Sequence, residues 1–242
     1  MCGLGTVVNV LAIVVGSILG LSLRGKLSQR FQDILMQVLG IATMFIGVSG
    51  ALKGMLVIEN GKLDTSNVML MIVSLVLGAL IGEGFRLEQR MEQLGEWFKR
   101  LAKVRDDSCF VEGFVTASLV VCIGAMAVVG AIEDGIAGNS AILFAKAMLD
   151  FVIVMVFAST LGIGVLFSAI PLGLYQGSIS IFARIIKPLL TEEMITSLSF
   201  VGAILIFAVG VNLSFGKKFR VGNMLPALFV PVLYEFIIQL FR

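Results

Sequence analysis

Residues 3–11 read GLGTVVNVL and residues 162–170 read GIGVLFSAI, so the chain contains nearly the same pattern twice, 159 residues apart. Each copy opens a long apolar segment, and two further segments follow it. The second and third segments of each copy share glycine, phenylalanine and asparagine positions, which are Gly40, Phe45, Gly54 and Asn67 in the first copy and Gly202, Phe207, Gly216 and Asn223 in the second. A duplicated three-helix unit is the construction plan of many secondary transporters.

The composition is that of a membrane protein. Of 242 residues, 58% are hydrophobic and 14% are charged, and the mean hydropathy is +1.05. A soluble domain has about a quarter of its residues charged, so this chain has too little polar surface to remain in water. The lipid bilayer is therefore its predicted surroundings.

Eight segments are predicted to cross the membrane, because a span needs about 20 apolar residues. We predict an all-α polytopic membrane protein forming a single membrane domain (1–242), with a 3+3 inverted-topology repeat (spans one to three and six to eight) and two linking helices. The spans are 3–23, 32–52, 66–85, 110–132, 140–159, 162–183, 195–215 and 222–241. The parts are repeat 1 (3–85), a cytoplasmic amphipathic helix (86–107), the linking helices (110–159) and repeat 2 (162–241).

The distribution of lysine and arginine predicts the orientation, since basic residues concentrate in cytoplasmic loops. With the N-terminus outside, the three cytoplasmic loops hold three, six and three basic residues, and the outside holds five. The second triplet then runs opposite to the first. Glu133 and Asp134 fall in an outside loop in this topology.

Residues 86–107 form the one substantial polar stretch. Leu87, Met91, Leu94 and Phe98 recur at helical spacing among charged residues, which indicates an amphipathic helix on the cytoplasmic surface. It either connects spans three and four while packing on its own protein, or binds a partner or a second copy.

Asn9 and Ser168 occupy equivalent positions in the repeat, and each follows a Gly-x-Gly motif. Two glycines weaken a helix and free backbone groups for a ligand, so a shared substrate site between the two repeats is one interpretation. The alternative is that the glycines only permit close helix contact. The helix-break glycines are Gly3, Gly5, Gly162 and Gly164.

Lys146 and Asp150 are four residues apart within the fifth predicted span, so they share a helix face and can pair. Charged residues inside the membrane are costly and mark functional sites. The pair is either an ion or proton site or a structural ion pair. Glu112, Thr116 and Gln176 are further predicted solute- or ion-binding residues, although Glu112 is close enough to a span end to reach the interface.

Glycines spaced four residues apart predict a tightly packed bundle and a possible homodimer, because small residues let helices approach closely. The pairs are Gly16 with Gly20, Gly50 with Gly54, Gly78 with Gly82 and Gly173 with Gly177.

Motifs for enzymatic chemistry are missing from the sequence. It has no histidine, three irregularly spaced cysteines, no phosphate-binding Gly-rich loop and no His-Glu-x-x-His. We expect neither an enzyme, a metal site nor a cofactor. Its basic residues are dispersed along membrane edges, so nucleic-acid binding is not expected either.

Several longer motifs resemble one family of bacterial inner-membrane proteins, the domain of unknown function 554 (DUF554). They are FVEGFVTASL (110–119), CIGAMA (122–127), ASTLGIGV (158–165), Gly5-Thr6, Asn9 and YQG (175–177). The resemblance implies a multi-pass protein of the bacterial inner membrane and supplies no substrate. The sequence favours a secondary transporter or facilitator for a small solute or ion, because intramembrane charges accompany an inverted repeat. An ion channel and a non-transporting scaffold or partner subunit remain alternatives.

Overall fold

The computed structural model describes residues 3–24, 26, 28–59, 61–104 and 107–240. Arg105 and Arg242, which contribute to the charge distribution, lie outside them. The helices are α1 (Leu4–Arg24), α2 (Gln29–Met55), α3 (Val68–Phe85), α4 (Leu87–Leu101), α5 (Phe110–Cys122), α6 (Ala125–Ala137), α7 (Ala141–Leu161), α8 (Ala169–Ile186), α9 (Glu192–Phe215), α10 (Val221–Met224) and α11 (Phe229–Leu240). Three short 3₁₀ segments (Ile163–Ser168, Lys187–Leu189 and Leu225–Leu228) precede α8, follow α8 and precede α11, respectively.

Within the described residues, six helices are long and apolar enough to cross a membrane, or seven if the bent pair α5–α6 is one span. Eight were expected. The fourth predicted span bends by 62° at Gly124, whose φ of +141° suits glycine. The eighth is divided among α10, a 3₁₀ segment containing Pro226, and α11, because proline has no N–H for a regular helix. The all-α class is therefore confirmed and the count of eight is not.

A small antiparallel hairpin was not predicted. Strands β1 (Leu56–Glu59) and β2 (Lys62–Thr65) pair in the register Leu56 with Thr65. Residues 60–61 read Asn-Gly in the sequence, and Gly61 has a φ of +74°. Asn-Gly between short extended runs is a strong hairpin signal, so the sequence did carry this information.

The chain divides into two compact units, which are described separately. Unit 1 comprises Met1–Val38, Arg90–Cys122 and Met126–Leu189, and unit 2 comprises Leu39–Gln89, Ile123–Ala125 and Leu190–Arg242. Each unit contains spans from both predicted triplets: α1 and α8 lie in unit 1, whereas α3, α9, α11 and the part of α2 from Leu39 onward lie in unit 2.

Glycines permit the close helix contacts of unit 1. A Cβ on Gly5 would crowd Leu143, one on Gly16 would lie 2.6 Å from the Phe151 carbonyl oxygen, and one on Gly20 would overlap the Met155 carbonyl oxygen. The matching order of these contacts shows that α1 and α7 run parallel.

Unit 2 uses glycines in the same way, between antiparallel helices. On α2, Gly40 meets Ser214 and Gly54 meets Phe200 of α9. On α3, Gly78 meets Ala227. Three of the four glycine pairs thus serve contacts inside the chain, whereas a Cβ on Gly177 of the fourth would meet nothing within 4 Å.

Replacing Gly82 by alanine is expected to destabilise the fold strongly, because its Cβ would overlap the Asn223 carbonyl oxygen. Overpacking of this kind costs about 3 kcal/mol, so the thermal midpoint of the purified protein in detergent should fall by about 5–10 °C. Gly84→Ala on the same helix is the matched control, since its Cβ meets nothing within 4 Å. Equal losses in both variants would contradict the packing described here.

Helix α4 packs on its own protein through Phe98, which is buried and contacts Phe114 and Phe167. Trp97 and Leu101 are exposed. The burial of Phe98 is what we expect of a connector that packs on its own protein. The exposed Trp97 and Leu101 are suited to contact with a membrane surface.

Candidate functional site

Two polar pairs lie along the contact between α1 and α8 in unit 1. The Asn9 side-chain amide donates to Oε1 of Gln176 at 3.3 Å, and the Thr6 and Ser180 hydroxyls are 3.5 Å apart. Asn9 and Gln176 are both 0% exposed. Earlier residues of α1 meet later residues of α8, so these helices are antiparallel and the seam between them is polar.

The predicted ion pair is present and has a third member. Lys146 pairs with Asp150, and its ammonium also donates to the Val121 carbonyl oxygen at 2.8 Å. Both charged side chains are buried. That carbonyl is free of a helical partner because α5 ends at Cys122, and the carboxyl end of a helix favours a cation.

The amide pair and the ion pair form one cluster, which we call the polar cluster: Asn9, Lys146, Asp150 and Gln176. The Asn9 side chain also lies near the Asp150 carboxylate. Among the described residues, Oδ1 of Asn9 and Nε2 of Gln176 have no hydrogen-bond partner. Exchanging the orientation of both amides leaves the same balance of one free acceptor and one free donor.

Ser168 does not join this cluster. Its hydroxyl donates to the Val165 carbonyl oxygen of its own turn, and Asn9 pairs with Gln176 instead. The reason is the antiparallel packing. Val10 meets Gly173, Asn9 meets Gln176 and Thr6 meets Ser180. Residues before Val10 therefore meet residues after Gly173, whereas Ser168 precedes Gly173.

Glu112 and Thr116 lie toward one end of α5. Glu112 lies in the first turn and is exposed, and Thr116 is half-buried one turn later. At 1.5 Å per residue, Glu112 is about 13 Å along the helix axis from Val121. The structure therefore does not bring Glu112 to the polar cluster.

The four predicted helix-break glycines divide into two kinds. Gly3 and Gly162 have φ values of +88° and +83°, and each directly precedes a helical segment. Gly5 lies inside the regular helix α1, and Gly164 lies in a 3₁₀ segment. The expectation that the helix backbone opens at Gly5 is therefore wrong. Gly5 instead makes room for Leu143, because a Cβ at this position would crowd the Leu143 side chain. The break that follows α5 is at Gly124, which was not singled out.

Asp134 was predicted in an outside loop, and the structure corrects this. It lies in α6 and is 0% exposed. Its Oδ1 accepts from the Ser140 hydroxyl at 2.6 Å and from the Gly5 backbone N–H at 3.4 Å, whereas Oδ2 has no partner in the described part of the chain. The sequence signal was weak because Asp134 follows another acidic residue near the end of an apolar run.

Asp107 joins three chain segments at the other end of α1. It accepts two hydrogen bonds from the Arg24 guanidinium, at 2.8 and 3.1 Å, and one from the Ile163 backbone N–H at 3.3 Å. Burial acts to raise the pKa of Asp107, but Arg24 and the backbone donors of Ile163 and Cys109 outweigh it, so the pKa lies below its ordinary value.

Asp107→Asn is expected to lower the thermal midpoint at pH 7 by about 2–4 °C, because it removes a charge-assisted pair worth about 1 kcal/mol when one partner is part-exposed. A lowered pKa means that the folded state favours the carboxylate. The stabilisation is therefore complete at neutral pH and disappears as the pH falls below about 4. Thermal unfolding of both proteins across pH tests this, and a difference that grows toward acid would contradict it.

Comparisons with known proteins give a family and two named relatives. The family model described as a protein of unknown function, DUF554, matches residues 4–236. The uncharacterised membrane protein YdfK of Bacillus subtilis is 34% identical over 237 residues, covering 98% of this chain and 97% of YdfK. The uncharacterised protein YqgA of Escherichia coli K12 is 32% identical over 229 residues, covering 93% of each chain. No solved structure matches.

Proposed function

The chain belongs to the DUF554 family of membrane proteins, and from this premise we propose that it is a secondary transporter or facilitator for a small solute or ion. Its binding site would be the polar cluster of Asn9, Lys146, Asp150 and Gln176. The observation that carries the proposal is a free donor and a free acceptor, both buried, beside an intramembrane ion pair. Unsatisfied buried polar atoms are costly, so a solute that satisfies them binds favourably.

The proposed inverted repeat is supported by how equivalent helices pack. Each span of the first triplet contacts its own counterpart in antiparallel order: Thr6 and Val10 of α1 meet Ser180 and Gly173 of α8. The α2–α9 and α3–α10/α11 contacts described above have the same order. This is the arrangement expected of two triplets related by a twofold axis in the membrane plane.

The proposed eight crossings are supported by contacts at the two ends of α1. Asp107, before α5, contacts Arg24, and Asp134, in α6, contacts Gly5. Nineteen residues of helix, about 28 Å, separate Arg24 from Gly5. The bent α5–α6 pair therefore extends along α1 and does not return to its starting side. The α10–α11 segment would supply the eighth crossing.

The proposed mechanism is alternating access between the triplets. Asn9 belongs to the first triplet and Gln176 to the second, so their hydrogen bond crosses the seam that must open. A bound solute would take over this bond, and Asp150 would exchange its partner during the cycle. This exchange costs little free energy only if Asp150 and Lys146 each keep an oppositely charged partner throughout, since an unpaired buried charge is far more costly.

The proposed location is the inner membrane of a bacterial cell, with the N-terminus on the outside. The contacts of Asp107 agree with the sides that the charge distribution assigns. Arg24, Asp107 and Ile163 lie together, and all three would be cytoplasmic.

A homodimer is also proposed, and light scattering of the purified protein tests it directly.

Reconstituted vesicles test the transport proposal. The purified chain would be screened by thermal shift against amino acids, short carboxylates, Na⁺, K⁺ and other small solutes, and each stabilising compound would then be measured for uptake. Flux that saturates at carrier rates supports the proposal, and single-channel currents would favour a channel. A stoichiometric partner from native membranes, with no flux in vesicles, would instead favour a scaffold.

A further inference from the structure

Asp134 is a fully buried carboxyl group that no cation of the described chain approaches. Its Oδ1 has two donors, the Ser140 hydroxyl and the Gly5 N–H, but Oδ2 has none. Gly5 lies in the first turn of α1, where free backbone N–H groups favour a negative charge. Oδ1 is therefore satisfied by two donors, whereas Oδ2 is a buried oxygen without a partner among the described residues.

Further oxygen atoms belong to residues that neighbour Asp134 and its partner Gly5. Thr6 follows Gly5 directly, its hydroxyl is 3.5 Å from that of Ser180, and Ser180 donates to the carbonyl oxygen of Ala131, one turn before Asp134. Helices α6 and α8 are in direct contact here, since a Cβ on Gly135 would overlap the Ser180 carbonyl oxygen. The group contains a carboxylate, hydroxyls and a carbonyl, which are the ligands that hard cations prefer.

An open groove leads to these hydroxyls. It has a volume of about 720 Å³ and lies between α1 and α8, where Thr6 and Ser180 are lining residues. Gly3 and Gly177 also line it, and a Cβ on either would meet nothing within 4 Å. The groove therefore brings the Thr6 and Ser180 hydroxyls to the surface of the helix pair, and the Asp134 carboxylate lies behind them, outside the lining.

We infer that Asp134, Thr6 and Ser180 form a binding site for a small monovalent cation such as Na⁺. The single carboxylate balances one positive charge, whereas Ca²⁺ sites generally use several carboxylates and Mg²⁺ retains waters in octahedral geometry. A proton alone would leave a buried hydroxyl on Oδ2 without an acceptor. The site is distinct from the polar cluster, although α1 contributes to both through Thr6 and Asn9.

Binding at this site does not depend on the proposed transport. If the chain is a transporter, the cation at Asp134 is its coupling ion, because solute and ion would act on the same helix. If the chain carries nothing, the cation still stabilises the fold. Cation binding and solute flux are therefore measured separately, so failure of one is distinguishable from failure of the other.

The test is thermal unfolding of the full-length purified protein in detergent, with NaCl titrated against choline chloride at constant ionic strength. Wild type should show a saturable rise of about 5 °C in NaCl. Asp134→Asn should abolish the rise, and Thr6→Val and Ser180→Ala should each require at least about tenfold more NaCl for half the effect. Glu133→Gln, on the same helix and bonded to Asn139, is the control that should retain it.

Three results would overturn the inference. The first is equal wild-type midpoints in NaCl and choline chloride, which is the result expected of a carboxyl kept neutral by a proton. The second is an unchanged Na⁺ response in both Thr6→Val and Ser180→Ala, which remain informative if Asp134→Asn does not fold. The third is a larger response to MgCl₂ than to NaCl.

Discussion

Solute flux should fall by about 100-fold in Asp150→Asn vesicles. The substitution removes the negative charge that pairs with Lys146 and leaves its ammonium with neutral acceptors only, the Val121 carbonyl oxygen and the new amide oxygen at position 150. A lost interaction with a charged group of about 3 kcal/mol corresponds to a factor of about 100. The measurement is uptake of the solute identified by thermal shift, compared with wild type at equal reconstituted protein.

A double variant separates function from folding. Lys146→Met with Asp150→Leu replaces the buried ion pair by apolar side chains of similar length, an exchange that is often neutral or stabilising. We therefore expect a thermal midpoint at or above that of wild type, together with the same loss of flux. Normal flux in a stable double variant would show that the pair is only structural, and the proposed binding site would then be wrong.

Asn9→Ala should lower flux by about tenfold or more. It removes the donor to Oε1 of Gln176 and leaves a buried amide without its partner, which costs about 1–3 kcal/mol. Ser17→Ala is the matched control on the same helix, since Ser17 is equally buried and its hydroxyl has no partner. Uptake assays on both variants should separate them, and equal flux would remove Asn9 from the site.

The span boundaries could be predicted closely because they depend on local apolar length. The predicted span 3–23 corresponds to α1 (Leu4–Arg24), and 195–215 falls within α9 (Glu192–Phe215). Asn9, Lys146, Asp150 and Gln176 were also identifiable, since polar residues are conspicuous in apolar segments. Composition and spacing were sufficient for these predictions.

Tertiary pairing could not be predicted in the same way. The equivalence of Asn9 with Ser168 is visible in the sequence, but the pairing of Asn9 with Gln176 depends on the antiparallel register of α1 against α8. The burial of Asp134 depends on the contact of α6 with α1 and α8, which are distant in sequence. In the sequence, Gly124 looks like any other glycine in an apolar run, and only its φ in the structure identifies it as the break.

Thiol labelling at position 176 tests most directly whether the polar cluster is a transport site. Gln176→Cys would be made in a chain whose native cysteines, Cys2, Cys109 and Cys122, are replaced, and a membrane-impermeant methanethiosulfonate would be applied to either side of oriented vesicles. Leu172→Cys, one turn away and equally buried, should stay unreactive. Alternating access predicts that the thiol introduced by Gln176→Cys reacts from both sides and that bound solute slows the reaction. No reaction from either side would mean that the seam is closed and structural.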